Sequence, residues 1–311
     1  MTPLGGPAVA LVGATAAGKS ALAHQLAVEL GDVDIVSVDA MCVYRGMDLA
    51  TAKPAPGERK EVRYHLLDLV EPSEEFTVAR FQRDAHVATD QIFGEGRRAL
   101  FVGGTGLYGR AVLDDLEIPA RYPEVREALD ERAMFDLDGL FEELQALDPV
   151  AASRLEPANE RRVVRALEVT LGAGRPFSSY GEGLMTYGPV RVVQVGLDVE
   201  LEVLDERIEV RFRRWMDEGL LEEVRALLER PGGLGRTARQ AVGYREMLAH
   251  LEQDVPLEDA VRDAVTQSRR LARRQRSWFR RDPRVEWFRD SGDAARRLAE
   301  VLDASVDPCE T

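Results

Sequence analysis

The run Ala8-Val9-Ala10-Leu11-Val12 passes directly into Gly13-Ala14-Thr15-Ala16-Ala17-Gly18-Lys19-Ser20 and then into ALAHQLAVEL; no other stretch constrains the fold as much. A short apolar run ending on glycine reads as a buried strand, and the apolar residues of the following segment recur at helical spacing. The octet between them fits G-x-x-x-x-G-K-[ST]. Its glycines let backbone N–H groups close on phosphate oxygens, Lys19 supplies a point charge, and the Ser20 hydroxyl is a ligand for Mg²⁺. The pattern specifies a polyphosphate ligand without deciding whose phosphates they are.

Up to about residue 117 the chain alternates strand and helix signals. DIVSVD (Asp34 to Asp39) is a β-branched run ending on a carboxylate, a helix is expected from Thr77 to Phe93 with Gly-Glu-Gly as its stop, and RALFVGGTG is a buried strand breaking into glycines. Repeated β–loop–α order predicts an α/β fold, a P-loop NTPase-like parallel sheet flanked by helices, with ligands at the carboxyl ends of the strands. Residues 118–189 change character to helical segments punctuated by Pro and Gly, and read as a helical insertion. VRVVQVGLDV at 190–199 returns to the sheet, the region up to 290 completes the core with basic helices, and 291–311 is a tail with a short helix and a frayed end.

The carboxyl ends of the strands carry the suspicious polar residues. A phosphate-transferring P-loop enzyme holds its metal shell with an Asp after a second strand; ALFVG ends instead in Gly-Gly-Thr, whereas DIVSVD ends in Asp39. Asp39 could assist the metal or act as a base, with a helix N-cap as the alternative, and Thr105 offers a hydroxyl on a flexible turn. In RIEVRFRRW, Arg207 and Arg211 lie four apart and share a helix face, while Arg213 and Arg214 point elsewhere. Neighbouring glutamates make surface ion pairs an equal alternative for these arginines. His24, His65, His86 and His250 are scattered and make no zinc site.

The net charge of −14 argues against a polyanionic partner, but Val261 to Arg289 holds ten arginines against three acids. Such a patch binds a polyanion on a globally acidic protein because salt screens the remote charges. A solvated helix face is the alternative. Trp278, Phe279, Trp287 and Phe288 beside the arginines suit unpaired bases. With no apolar run near 18 residues, no basic leader, and only Cys42 and Cys309, a cytoplasmic protein without a membrane span is expected.

Taken together, these segments resemble the bacterial tRNA dimethylallyltransferases (tRNA isopentenyltransferases). The resemblance runs from the P-loop to about Asp290 through SVDAMCVYRGMDLATAKP, YHLLDLVEPSEEFTVARF, ALFVGGTGLYGRAV, ERRVVRALEV, RIEVRFRRWMDEGLLEEV, TARQAVGYREML and LARRQRSWFR. Ala40 and Cys42 stand where that family often has Ser and Gln, and Asn159-Glu160 where it has Asn-Asp. The resemblance implies transfer of a dimethylallyl group from its diphosphate to N6 of adenine 37, in tRNAs reading codons that begin with U, by a monomer using Mg²⁺. It places the diphosphate on Gly13 to Ser20 and Arg211, the metal on Ser20, and the catalytic roles on Asp39 and Thr105. It assigns contact with the tRNA anticodon stem-loop to Asp39, Ala40, Met41, Cys42, Thr105, Arg126, Arg161, Arg162, Arg165, Gln240, Gly243, Tyr244, Arg245, Arg273, Arg274, Gln275, Trp278 and Arg280. The competing readings are a small-molecule P-loop kinase, a non-catalytic RNA-binding module, and the same prenyl chemistry on free adenosine nucleotides.

Overall fold

The computed structural model describes residues 4, 6–181, 183–184, 186–189 and 192–304. The first two residues of the strand expected over 190–199, the tail beyond 304 and Cys309 lie outside the described residues. The chain divides into two compact units, one built from 1–115 and 189–311, the other from Leu116–Gly188.

In the first unit, strand β1 (Ala8–Gly13) is buried from Val9 onward, as a strand covered on both faces must be. Gly18, at φ 98°, turns the chain into helix α1 (Lys19–Leu30), which Gly31 ends at φ 77° by returning its N–H to the Ala27 carbonyl. Strand β2 (Val33–Val38) leads into a long loop that holds the one-turn helix α2 (Glu58–Glu61) and the short edge strand β3 (Tyr64–His65). Thr77 caps helix α3 (Val78–Gly94) through its hydroxyl, which accepts from the Arg80 N–H at 3.2 Å. Strand β4 (Arg98–Gly103) follows.

Helix α4 (Gly106–Leu113) starts directly after β4, where the sequence reading saw only a glycine break. Two of its eight residues are glycines, a composition that disfavours helix, and packing overrides it. A Cβ at Gly106 would lie 2.0 Å from the Trp278 indole nitrogen, so the helix start sits tight against that ring.

The second unit is helical: α5 (Pro123–Ala133), α6 (Leu137–Leu147), the single turn α7 (Pro149–Ala152) and α8 (Glu160–Ala173). Its own core holds Leu129, Leu140, Leu144, Val163 and Leu167, all 2% exposed or less. Side chains of Asp136, Asp148 and Asn159 accept the first free N–H groups of α6, α7 and α8.

The first unit resumes with strand β5 (Val193–Leu197) and helices α9 (Leu201–Asp217), α10 (Leu220–Leu228), α11 (Tyr244–Gln253) and α12 (Leu257–Arg280). Strand β6 (Val285–Phe288) and helix α13 (Ser291–Ala304) close it. The sheet order is β3-β2-β4-β1-β5-β6, with every pairing parallel. Strand β6 corrects the sequence reading, which counted Trp287 and Phe288 among aromatics available to bases. Both pack partly buried against the core from an edge strand, and Phe279 is 5% exposed. Trp278 is likewise partly buried against that core, and it lines a cavity with Phe279, Thr105 and Gly106.

Candidate active site

Strand β1 lies between β4 and β5, so its carboxyl end opens at the centre of the sheet, where a parallel sheet binds ligands. Four strand ends meet there: the loop Gly13–Ser20 after β1, Asp39 after β2, Gly104-Thr105 after β4 and Asp198 after β5. The approach of β2 to β4 is close enough that a Cβ at Gly103 would fall 2.0 Å from the Val38 carbonyl oxygen.

The loop has the geometry of an anion cradle. Gly13 (φ 141°), Ala16 (φ 64°) and Gly18 (φ 98°) adopt left-handed backbone, and at Ala16 this is held by an L-residue with a side chain. Among the described residues, no hydrogen bond takes up the N–H groups of Ala16, Gly18, Lys19 or Ser20. The free amides of the first turn of α1 thus join those of the loop around one point. Lys19 is buried, and its ammonium donates to the Gly13 and Ala14 carbonyls at 3.0 and 2.7 Å. Burial, and then the Arg211 charge, lower its pKa to about 8, while Asp39 opposes the shift. A phosphate arriving here meets a cation that has only neutral hydrogen-bond partners.

Arg211 reaches the loop from α9, donating to the Thr15 hydroxyl at 2.9 Å with its guanidinium 4.6 Å from the Trp215 ring centroid. Its Nε is buried with no partner, and burial followed by the Arg214 charge lowers its pKa to about 10. Arg207, on the same face, donates to the Ala16 carbonyl at 3.4 Å. Arg213 and Arg214 point outward and pair with Glu209 and Glu218. The four-residue spacing therefore sorts these arginines as helix geometry requires.

Asp39 closes the other side. Its Oδ1 accepts from the Met41 N–H at 2.8 Å, a local turn in which the side chain bonds the backbone two residues on. Burial raises its pKa; backbone donors from Met41 and Cys42 and the Lys19 charge pull the other way. A carboxylate held above its usual range in a crevice is suited to taking a proton. The Ala40 N–H donates to the Thr105 hydroxyl at 3.4 Å, tying the ends of β2 and β4 together. The Cys42 thiol is buried, faces the Thr51 carbonyl at 3.6 Å, and is pushed far up by burial and then by Asp39, so it is no nucleophile.

Sequence reasoning missed what holds this loop. The Lys53 side chain is 1% exposed and donates to the Tyr44 carbonyl at 2.5 Å, Asp48 at 2.8 Å and Asp68 at 2.6 Å. Glu223 accepts from the Asp48 and Leu49 N–H groups and, at 2.5 Å, from the Tyr244 hydroxyl. Tyr244 is fully buried and Gly243 donates to Glu246, so within Gln240–Arg245 it is Gln240 and Arg245 that face solvent.

On α12 the arginines divide. Arg273 lies 2.6 Å from Asp205, and Arg276 and Arg280 share Asp198 at 3.1 and 2.8 Å. Arg274 is exposed and, among the described residues, forms no ion pair. Gln275 turns inward, and its side-chain oxygen accepts from the Thr15 N–H at 2.8 Å. The second unit shows the same division by itself. Arg126 and Arg165 pair with Glu168, Arg126 also with Asp130, while Arg161 and Arg162 are exposed and, among the described residues, unpaired.

Among the described residues no cluster of three or more His, Cys, Asp or Glu side chains could hold a metal ion, and no helix is long and apolar enough to cross a membrane. The sequence model of a family described as IPP transferase matches residues 42–282. The tRNA dimethylallyltransferase of Nocardioides sp. is 44% identical over 98% of this chain and 99% of its own length. That of Salinispora arenicola is 46% identical over 96% of this chain and 86% of its own. Among solved structures, the full-length tRNA isopentenylpyrophosphate transferase of Bacillus halodurans superposes with a TM-score of 0.69 at 35% identity, over 96% of this chain and 97% of that one.

Proposed function

The chain belongs to the IPP transferase family, and from that premise we propose that it transfers the dimethylallyl group of dimethylallyl diphosphate to N6 of adenine 37 in tRNAs reading codons that begin with U, releasing diphosphate. The observation that carries the reading is the pairing of buried Lys19 and half-buried Arg211, neither with a carboxylate partner among the described residues, with a carboxylate of raised pKa, Asp39, across one crevice. The allylic C–O bond breaks as its electron pair moves onto the leaving diphosphate. The amides of the cradle, Lys19 and Arg211 receive that developing charge. The adenine N6 lone pair forms the new C–N bond with the cation-like carbon, and the amine, acidic once alkylated, passes a proton to Asp39. Thr105, held against the Ala40 N–H, orients the amine or a diphosphate oxygen.

The donor set also fits Mg²⁺. Ser20 is exposed at the start of α1, and a loop hydroxyl with substrate phosphate oxygens and waters is how this ion is held on such a loop. When bound, it supplies Lewis-acid neutralisation of the leaving diphosphate. Arg161, Arg162 and Arg274, exposed and without an ion pair among the described residues, are the first candidates for phosphates of the tRNA, and Trp278 for a base taken from its stack. We further propose that it works as a monomer in the cytoplasm.

The test uses labelled dimethylallyl diphosphate and Mg²⁺ with unmodified tRNA, with AMP, or with no acceptor. Label is expected in tRNA alone; label in AMP but not tRNA would instead make this an enzyme of free nucleotides, and ATP consumption without prenyl transfer would make it a kinase. Asp39→Ala is expected to slow the single-turnover rate by about 10²–10⁴-fold while tRNA binding persists. Loss confined to tRNA binding would remove Asp39 from the base role.

A further inference from the structure

The hydrogen bond from the Thr15 N–H to Gln275 removes one donor from the cradle. Among the described residues, the loop amides left without an acceptor are those of Ser20, Lys19 and Gly18 at the start of α1 and that of Ala16, while the Ala17 N–H donates to the Ala14 carbonyl at 3.3 Å. A polyphosphate laid along the loop from the helix end passes those amides, and the next beyond Ala16 is that of Thr15, the rim of the donor row. There it meets an amide already taken and a carbonyl oxygen whose partial negative charge repels an anion. Arg211 grips the same residue from the other side, through its hydroxyl, so the rim is held by α9 and α12 together. Gln275 reaches this far because nothing projects from Gly104: a Cβ there would lie 2.6 Å from Gln275 Nε2 and 3.2 Å from its Cδ.

We propose that Gln275 is a specificity-determining residue that shortens the cradle by one phosphate, so that the loop accepts a diphosphate and rejects a triphosphate. The inference rests on the prenyl-diphosphate reading and deepens it. A strand–loop–helix of this sequence would otherwise hold three phosphates as readily as two, since the loop lysine reaches past the second. The device acts through the Thr15 amide and through the room left at Gly104, without touching Lys19.

The test is a competition experiment with inorganic pyrophosphate and inorganic tripolyphosphate, each with Mg²⁺, on the full chain. Wild type is expected to bind pyrophosphate at least about tenfold more tightly than tripolyphosphate, roughly the discrimination that one lost hydrogen bond to a charged group brings. Gln275→Ala is expected to erase most of that ratio by strengthening tripolyphosphate binding. Gly104→Ala, which pushes the Gln275 amide off the rim while leaving it in the sequence, is expected to do the same. Gln275→Glu, which keeps an acceptor on the Thr15 N–H and adds a charge, is expected to preserve or widen the ratio; a merely structural role for Gln275 would not separate Glu from Ala in this way. Equal binding of the two anions by wild type, or a ratio unchanged in both alanine variants, overturns the proposal alone. Failure of wild type to bind pyrophosphate at all overturns the diphosphate reading and this inference with it.

Discussion

Lys19 and Arg211 lie in the crevice against carbonyl and hydroxyl oxygens, whereas Arg273, Arg276 and Arg280 on α12 lie against carboxylates. Each member of both groups carries one positive charge, yet only the first group is left short of counter-charge, and Lys19 is the most deeply buried of the five. An arginine on a carboxylate has little field left for a ligand. A cation facing neutral oxygens in the crevice has lost hydration that no counter-charge replaces, so burial disfavours the charged form and lowers both pKa values until an anion arrives. The contrast separates where positive charge is available from where it is only abundant. Applied to the second unit it picks Arg161 and Arg162 over Arg126 and Arg165, and applied to α12 it picks Arg274 over Arg273.

The contrast breaks most visibly at Lys19. Lys19→Ala is expected to lower kcat/KM for dimethylallyl transfer by about 10³-fold, the scale of losing one preorganised charge at a developing anion. A loss under tenfold, measured with saturating tRNA, would mean the cradle's amides suffice. The next effect is smaller and falls on tRNA. Replacing Arg161 and Arg162 together by Ala is expected to reduce the slope of log Kd against log salt by about 1–2, one unit or slightly less for each phosphate no longer neutralised. Arg274→Ala should weaken binding more than Arg273→Ala; the reverse order would show that pairing with Asp205 does not neutralise Arg273. The smallest effect sharpens the paired side. Burial raises the Asp198 pKa, but hydrogen bonds from Arg280 and Arg276 outweigh it and leave the group below its usual value. Its stabilising contribution is therefore present above the unfolded value, about 3.9, and is lost as the pH falls through the folded one. Urea unfolding of Asp198→Asn is expected to show a shallower loss of stability between pH 5 and pH 2 than wild type; parallel curves would mean the pair contributes nothing.

Much of this was readable from the residues in order. AVALV, the octet and the helix after it are contiguous, so local pattern suffices to place the cradle, and Asp39 follows because it ends a strand of the same sheet. The pairing of the arginines was not readable, because Asp198 and Arg276 are 78 positions apart and only the sheet brings them together. Strand β6 is four residues long and flanked by arginines and a proline, so its local pattern merged with the basic helix before it. Helix α4 was hidden by glycines that read as a turn, and in the fold Gly106 serves the close approach of Trp278. Gln275 was read, through the family resemblance, as a tRNA contact; a glutamine among arginines says nothing about a loop at the other end of the chain.

That last hydrogen bond spans 260 residues and bears on how the protein is made. A ribosome adding about 5–20 residues per second produces the loop roughly 13–52 s before it produces its glutamine. During that interval β1, β2 and β4 can pair and the lysine can find its carbonyls, but the Thr15 amide has no partner from the chain. Until α12 is made, the loop lacks the acceptor to which the choice of diphosphate over triphosphate is assigned. Its selectivity is acquired late, when α12 emerges and docks.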